Sequence, residues 1–150
     1  MLNVHSIMER SRANGPGVRT VIWLQGCSLH CPGCFNPQTH SRAPRLRMRV
    51  EALLETIRAG ETGIEGVTIS GGEPLEQPDG LCRLLVRIRA VTSLSVILFS
   101  GLEMKEIVAL PQGPDILRRI DVLIAGRYVE TLRLSRGLRG SSNQRIHFLT

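Results

Sequence analysis

Aromatic side chains are scarce in this sequence, which contains one tryptophan, one tyrosine and three phenylalanines among 150 residues. Proteins that bind single-stranded nucleic acid use aromatic side chains on which successive bases stack. The sequence has no run of such residues, so its net charge of +6 is weak support for nucleic-acid binding. We therefore expect no nucleic-acid partner.

Lysine is nearly absent, because only one of the 19 basic residues is a lysine and the others are arginines. This bias indicates that the positive charge is spread along the chain. The densest basic segment contains Arg42, Arg45, Arg47 and Arg49. Two interpretations are open for this segment: a solvated basic face, or a surface that docks an acidic protein partner.

Long apolar runs are also missing. A membrane helix needs about 20 consecutive apolar residues, and no run in the chain approaches that length. The first ten residues lack the continuous apolar stretch that is typical of a signal peptide. We therefore expect a cytoplasmic protein without a membrane partner, and the length predicts one domain over residues 1–150.

Cysteine is infrequent but concentrated, since three of the four cysteines lie within eight residues, at Cys27, Cys31 and Cys34. In a chain without a secretion signal, such a group is more typical of metal ligands than of disulfides. The spacing allows the three thiolates to converge on one centre and leaves a fourth position without a protein ligand. This favours an iron–sulfur cluster with one open iron. The alternative is a structural zinc site with His30 as fourth ligand, although His30 adjoins Cys31 and would struggle to reach the same metal.

A second motif, Gly71-Gly72-Glu73-Pro74, directly follows the short apolar run Val67–Ser70. Two glycines after a strand allow a ligand to approach the backbone closely, and a fixed carboxylate accepts hydrogen bonds from an ammonium group. The alternative is an ordinary turn at the end of a strand, in which Glu73 caps the following helix.

The chain as a whole predicts an α/β fold. Runs rich in β-branched residues predict strands, and apolar residues at helical spacing predict helices between them. The first helix is predicted over residues 50–57 and ends at Gly60, and Pro111 and Pro114 separate the last two helices. Four such strands, at residues 20–24, 67–69, 94–99 and 121–124, are too few to close a barrel. Further strands near residues 2–7 and 145–149 leave the sheet open, so we expect a shortened, open partial (β/α) barrel with a mainly parallel sheet. Both motifs follow strands, at the sheet edge where parallel folds bind ligands.

The two motifs together resemble the radical S-adenosylmethionine superfamily. Three further segments are similar to the activating enzymes of glycyl-radical enzymes, in particular those of anaerobic ribonucleotide reductase: residues 14–26, the loop from Cys31 to Pro37, and residues 139–144. One position differs, because Ala125 stands where members of this family often have aspartate.

The resemblance implies a four-iron four-sulfur cluster on Cys27, Cys31 and Cys34, with S-adenosylmethionine chelated to the open iron and its amino group held by the Gly71–Pro74 turn. It implies reductive cleavage to a 5′-deoxyadenosyl radical, which takes a hydrogen atom from a glycine of a partner enzyme. A flavodoxin or ferredoxin is implied as electron donor. Two alternatives are a radical enzyme acting on a peptide or small molecule, and a non-catalytic iron–sulfur or zinc binding module.

The resemblance also indicates which residues contact S-adenosylmethionine, and no side chain is assigned a catalytic role. Phe35 and Asn36 would border the adenine, with an ordinary core position as the alternative for Phe35. Ser100 would contact the ribose hydroxyls, with a simple turn serine as its alternative. We expect Cys82 to be a small buried apolar residue. The complete set of expected cofactor-binding residues is Phe35, Asn36, Ser70, Gly71, Gly72, Glu73 and Ser100.

Overall fold

The computed structural model describes all residues from 1 to 150. It contains one seven-stranded sheet and four α-helices. The strands are β1 Leu2–Ser11, β2 Arg19–Leu24, β3 Leu46–Met48, β4 Gly66–Gly71, β5 Ser95–Ser100, β6 Val122–Ala125 and β7 Arg145–Phe148. The helices are α1 Val50–Ala59, α2 Pro78–Val91, α3 Met104–Val108 and α4 Gly113–Leu117.

The strand order across the sheet is β3-β1-β2-β4-β5-β6-β7. The four central strands β2, β4, β5 and β6 run parallel to one another. The flanking strands β1, β3 and β7 pair antiparallel with their neighbours. The predicted α/β class with a parallel centre is therefore confirmed, and the sheet is open, with β3 and β7 as its edges.

The secondary structure differs from the sequence-based expectation in two places. Strand β3 was not predicted, because it has only three residues and no buried side chain. Pro114 was expected to separate two helices, but it lies in the first turn of α4. Proline is tolerated there because the amide hydrogens of a first helical turn have no partner inside the helix.

One face of the sheet packs against the helices. The buried residues of α1 and α2 fall at helical spacing and join the strand residues in one apolar core. Each such side chain contributes about 1.5–3 kcal/mol of stability when fully buried. The buried helix residues are Leu53, Leu54 and Ile57 on α1, and Leu81, Leu84, Leu85 and Ile88 on α2. None of the helices combines the length and apolar character that crossing a membrane requires.

The opposite face of the sheet is crossed by the segment Asn14–Gly17. Arg19 is buried, and its Nε donates a hydrogen bond to Oγ1 of Thr68 at 2.9 Å. Thr68 in turn donates to the carbonyl of Asn14 at 2.8 Å. Gly15 has a φ of +138°, and a Cβ there would lie 2.7 Å from Cδ1 of Ile97. Glycine is therefore required for the segment to lie this close to the sheet.

Candidate active site

The candidate site lies at the carboxyl ends of the four parallel strands. The cysteine loop follows β2, the Gly71–Pro74 turn ends β4, Ser100 ends β5 and Gly126 follows β6. Residues from all four of these strand ends line one cavity. The expectation that the motifs meet at one sheet edge is confirmed, because adjacent parallel strands deliver their following loops to the same side.

Backbone hydrogen bonds join the cysteine loop to the Gly71–Pro74 turn. The N–H of Glu73 donates to the carbonyl of Gly26 at 2.9 Å, which joins the turn to the residue before Cys27. A second bond, from the N–H of Cys27 to the carbonyl of His40 at 3.1 Å, closes the cysteine loop on itself. A Cβ at Gly72 would clash with that same Gly26 carbonyl. Glycine at position 72 is thus explained by the close approach of the two motifs.

The three clustered cysteines line the cavity together. Cys27 is buried, whereas Cys31 and Cys34 are half-buried. No three or more histidine, cysteine or acidic side chains are arranged to hold a single metal ion. The expectation that these thiolates hold a cluster, and its alternative of a zinc site with His30, stay predictions. Three thiols that line one cavity are compatible with a cluster, in which each thiolate would bind a different iron.

Two observations test whether these residues fit an iron–sulfur cluster. The donor set consists of soft sulfur ligands, which such clusters require. In addition, Nε2 of His40 is the one buried side-chain nitrogen or oxygen without a hydrogen-bond partner, and His40 lines the same cavity. A cluster would bring sulfur acceptors to this otherwise unpaired atom. Burial raises the pKa of the Cys27 thiol, and iron binding reverses this effect because a coordinated thiol loses its proton.

Glu73 lies on the wall of this cavity and is only 1% exposed. One carboxylate oxygen, Oε1, accepts hydrogen bonds from the N–H of Leu75 and from the hydroxyl of Ser100, both at 2.9 Å. The other oxygen, Oε2, accepts from the N–H of Gly101 at 2.7 Å. Burial raises the pKa of Glu73 to about 7, although all three hydrogen bonds oppose this rise. The capping role that we considered for Glu73 is present, through its bond to Leu75.

Ser100 is buried and supports Glu73. Its hydroxyl donates to the Glu73 carboxylate and accepts a hydrogen bond from the N–H of Leu102 at 3.0 Å. Ser70, Gly71 and Gly72 line the same cavity. The expected contact of Ser100 with a ribose stays a prediction.

Phe35 and Asn36 lie outside this cavity and line a neighbouring one of about 440 Å³, which shares Cys34 and Ser70 with the first. Phe35 is 53% exposed, so the alternative that it is an ordinary core residue is wrong. Its ring packs against Tyr128 with 4.7 Å between centroids, and the Arg133 guanidinium lies 5.3 Å above it. The second cavity is therefore open to solvent beside Cys34.

Glu76 was not identified from the sequence, although it anchors the cysteine loop. Its carboxylate accepts a hydrogen bond from the N–H of Ser28 at 2.6 Å and forms an ion pair with Arg42. Burial raises the pKa of Glu76, but the bonds from Ser28 and Arg42 outweigh it, so the pKa lies below its ordinary value. No local pattern marks this residue, because its partners are distant in sequence.

The polar segment Gly140–Gln144, whose role the sequence left open, holds the end of β6 in place. Oε1 of Gln144 accepts from the N–H of Gly140 at 2.7 Å, and its Nε2 donates to the carbonyl of Gly126 at 2.9 Å. Gln144 lines both cavities. The small polar residues of this segment therefore form a tight, hydrogen-bonded turn beside the site.

Three other residues singled out from the sequence lie as follows. His30 is exposed, with a φ of +45° that is uncommon for a residue with a side chain. Cys82 is only half-buried on α2, so the expectation of a buried position is wrong. It nevertheless packs against the core and lines neither cavity. Ala125 is buried in the core.

Comparison with known proteins agrees with this arrangement. Residues 13–147 match the protein family described as 4Fe-4S single cluster domain. The anaerobic ribonucleoside-triphosphate reductase-activating protein of Escherichia coli (strain K12) is 31% identical over 156 residues, covering 99% of each chain. The protein of that name from Enterobacteria phage T4 is 28% identical over 149 residues, covering 97% of this chain and 93% of the phage protein.

A second kind of relative matches over a shorter range. The pyruvate formate-lyase-activating enzyme of Clostridium pasteurianum is 39% identical over 89 residues, which is 57% of this chain and 37% of that enzyme. The fold and the site define an iron–sulfur enzyme of the radical S-adenosylmethionine class. Within that class, the chain belongs to the 4Fe-4S single cluster domain family, together with the anaerobic ribonucleoside-triphosphate reductase-activating proteins that it resembles over its whole length.

Proposed function

We propose that this protein cleaves S-adenosylmethionine reductively and uses the resulting radical to install a glycyl radical on an anaerobic ribonucleoside-triphosphate reductase. The observation that carries the proposal is the direct connection of the two motifs. The Gly71–Pro74 turn is hydrogen-bonded to the strand end that carries Cys27, and both motifs line one cavity. Full-length similarity to reductase-activating proteins supports the choice of partner.

In this proposal Cys27, Cys31 and Cys34 each bind one iron of a four-iron four-sulfur cluster, and the fourth iron has no protein ligand. When bound, the reduced cluster supplies the electron that cleaves the sulfonium to methionine and a 5′-deoxyadenosyl radical. The protein holds both cofactors in position and limits access of water. Glu76 helps to position the cysteine loop, because its carboxylate accepts a hydrogen bond from the backbone N–H of Ser28, the residue after Cys27.

Glu73 holds the amino group of S-adenosylmethionine. A carboxylate has about four positions for accepting hydrogen bonds, two on each oxygen. Oε1 of Glu73 uses both of its positions, for Leu75 and Ser100, whereas Oε2 uses one, for Gly101. One position on Oε2 therefore remains for an ammonium donor. The ammonium group also favours the charged form of a carboxylate whose pKa burial raises to about 7.

The remaining cofactor contacts follow from the two neighbouring cavities. Ser70, Gly71 and Gly72 form the wall next to the cysteines, and Ser100, which supports Glu73, would contact the ribose. Phe35 and Asn36 border the adenine from the second cavity. Its volume of about 440 Å³ lies in the range of small-molecule sites, roughly 300–1,000 Å³.

The open sheet is a shortened (β/α) barrel in this proposal, and residues 1–150 act as one domain. The face without helices is the inner wall, and its open side admits the glycine-bearing loop of the partner. A flavodoxin or ferredoxin supplies the electron. A cytoplasmic location fits the four free cysteines, because thiols stay reduced in that compartment.

The test is to mix the anaerobically reconstituted and reduced protein with S-adenosylmethionine and a candidate reductase. A glycyl radical detected by electron paramagnetic resonance is the expected result. The Cys31→Ala variant should give no signal, and the Cys82→Ala variant should give the full signal, because Cys82 lies outside both cavities.

A pyruvate formate-lyase-type enzyme is the second candidate partner, because of the similarity over 57% of this chain. It should be assayed in parallel. Cleavage of S-adenosylmethionine without a radical on either enzyme would contradict the activase proposal and favour a peptide or small-molecule substrate. A protein that takes up no iron on reconstitution would contradict the cluster itself.

A further inference from the structure

His40 carries a buried nitrogen that the protein leaves without a hydrogen bond. Its Nε2 is the one buried side-chain nitrogen or oxygen in the chain that has no partner. A buried polar atom without a partner costs roughly 1–3 kcal/mol, and such atoms are rare in folded proteins. An unpaired ring nitrogen therefore indicates a partner that comes from outside the chain.

The position of His40 limits what that partner is. His40 lines the same cavity as Cys27, Cys31 and Cys34. Its carbonyl accepts the N–H of Cys27 at 3.1 Å, which fixes its backbone beside the first cysteine. Its ring meets the ring of His30 edge-on, with 4.8 Å between centroids. The imidazole is therefore held next to the cysteine loop by contacts on two sides.

The groups in this cavity leave few acceptors for a ring N–H. Oε1 of Glu73 is occupied by two donors from the protein, and the position that remains on Oε2 beside the Gly101 donor is the one that the proposed function gives to the ammonium group of S-adenosylmethionine. The sulfides and thiolates of an iron–sulfur cluster are acceptors, and hydrogen bonds to them are among the features that set the reduction potential. A neutral imidazole that carries its proton on Nε2 is a suitable donor.

We propose that the Nε2–H of His40 donates a hydrogen bond to a sulfur atom of the cluster held by Cys27, Cys31 and Cys34, and that this bond raises the reduction potential of the cluster. The inference rests on the cluster of the proposed function but not on the identity of the partner enzyme. His40 acts as a positioning and tuning residue, since it supplies no ligand to iron. The bond stabilises the reduced cluster, because an added electron increases the negative charge on the sulfur atoms.

The experiment compares two substitutions at this position. His40→Phe keeps a ring of similar size but has no donor, whereas His40→Gln keeps an N–H donor. His147→Phe is the matched control, because His147 lies on β7 and lines neither cavity. Each protein is reconstituted anaerobically, its iron and sulfide are counted, and its midpoint potential is measured by a redox titration without S-adenosylmethionine.

We expect His40→Phe to lower the potential by an amount equal to about a tenfold smaller equilibrium constant for reduction, which is about 59 mV for one electron. His40→Gln should retain most of the wild-type potential, and His147→Phe should not change it. Equal potentials in all four proteins would overturn the proposal. An equal fall in both His40 variants would also overturn it, because packing and not donation would then be the cause.

A second measurement covers the case in which His40→Phe does not bind a cluster. The His30→Phe variant, labelled with ¹⁵N-histidine and reduced, is examined by pulsed electron paramagnetic resonance. A ¹⁵N coupling that disappears when the His40→Gln substitution is added supports the hydrogen bond. A spectrum without any such coupling in the His30→Phe variant overturns it. If the wild-type protein never loads iron, the cluster of the proposed function is contradicted. Failure of the cluster and failure of the His40 hydrogen bond are therefore distinguishable.

Discussion

The hydroxyl of Ser100 donates a hydrogen bond to Oε1 of Glu73 at 2.9 Å, and both side chains are buried. This contact joins the end of β5 to the turn after β4. It supplies one of the three donors that stabilise a carboxylate which burial alone would leave uncharged at neutral pH. The charge on Glu73 is therefore sensitive to a residue 27 positions away.

The Ser100→Ala substitution should destabilise the apoprotein at pH 8. The hydroxyl lowers the pKa of Glu73, so its removal raises that pKa further and leaves the carboxylate with fewer donors. A hydrogen bond to a charged group contributes about 1.5–3 kcal/mol, and we expect a loss of that order in chemical denaturation. Ser142→Ala is the control, because Ser142 is exposed. An equal and small effect of both substitutions would contradict this account.

The stability of the apoprotein should fall as the pH rises from about 4.5 to 7. In the unfolded chain Glu73 loses its proton near the ordinary pKa of 4.5, whereas in the folded protein it keeps the proton until about pH 7. Between these values the folded state binds the extra proton, so its stabilising contribution is complete below pH 4.5 and is lost as the pH passes 7. The contribution is about 3 kcal/mol.

Chemical denaturation of the apoprotein across this pH range measures that contribution. The Glu73→Gln variant should show a flatter dependence on pH than the wild type, because Gln does not titrate. Parallel curves for the two proteins would show that another group causes the fall in stability.

The sequence predicted most of this site because its determinants are local. The cysteine spacing and the two glycines at 71 and 72 identify residues that line one cavity, and the strand pattern places them at one sheet edge. The predicted helix at 50–57 ending at Gly60 matches α1. These features depend on periodicity and turn chemistry within short stretches of chain.

The residues that the sequence did not reveal depend on distant contacts. Glu76 fixes the loop at Ser28, which is 48 positions away, and Arg19 is buried against Thr68 on another strand. Charged residues are usually exposed, so no pattern predicts these two positions. The exposed ring of Phe35 also could not be foreseen, because its packing on Tyr128 requires the fold of residues far along the chain.

Substituting any clustered cysteine should abolish the cluster. Cys27→Ala, Cys31→Ala and Cys34→Ala each remove one of the three thiolates that line the cavity. Anaerobic reconstitution should give about four irons and four sulfides per chain in the wild type and little of either in these variants. Cys82→Ala should load as the wild type does, since Cys82 lies on α2 against the core. Loss of iron in Cys82→Ala alone would contradict the assigned ligands.

The Glu73→Gln substitution should weaken S-adenosylmethionine binding. It removes the charge that pairs with the ammonium group, and a charge-assisted hydrogen bond contributes about 1.5–3 kcal/mol. We therefore expect the Kd to rise about tenfold or more in a variant that keeps its cluster. Isothermal titration of loaded protein, with wild type and Ser142→Ala for comparison, measures this. An unchanged Kd would show that Glu73 only supports the turn.

The arginines near the cysteine loop should steer an acidic partner towards the site. Arg42 is paired with Glu76, and Nε of Arg45 donates to the carbonyl of His5 at 2.9 Å, so substituting either also disturbs the structure. Arg47 and Arg49 are exposed and lie at the edge of the sheet around the end of β3. They are the cleaner positions to neutralise.

The double variant Arg47→Gln/Arg49→Gln should slow glycyl-radical formation on the partner several-fold at low ionic strength. The difference from wild type should shrink as salt is added, because the Debye length falls from about 30 Å at 0.01 M to about 8 Å at 0.15 M. Arg12→Gln is the control, since Arg12 is exposed and follows Ser11, which pairs with Arg19 at the opposite end of the sheet. Equal slowing by Arg12→Gln would mean that net charge alone matters. A rate that does not depend on salt in any of these proteins would leave the basic segment as a solvated face.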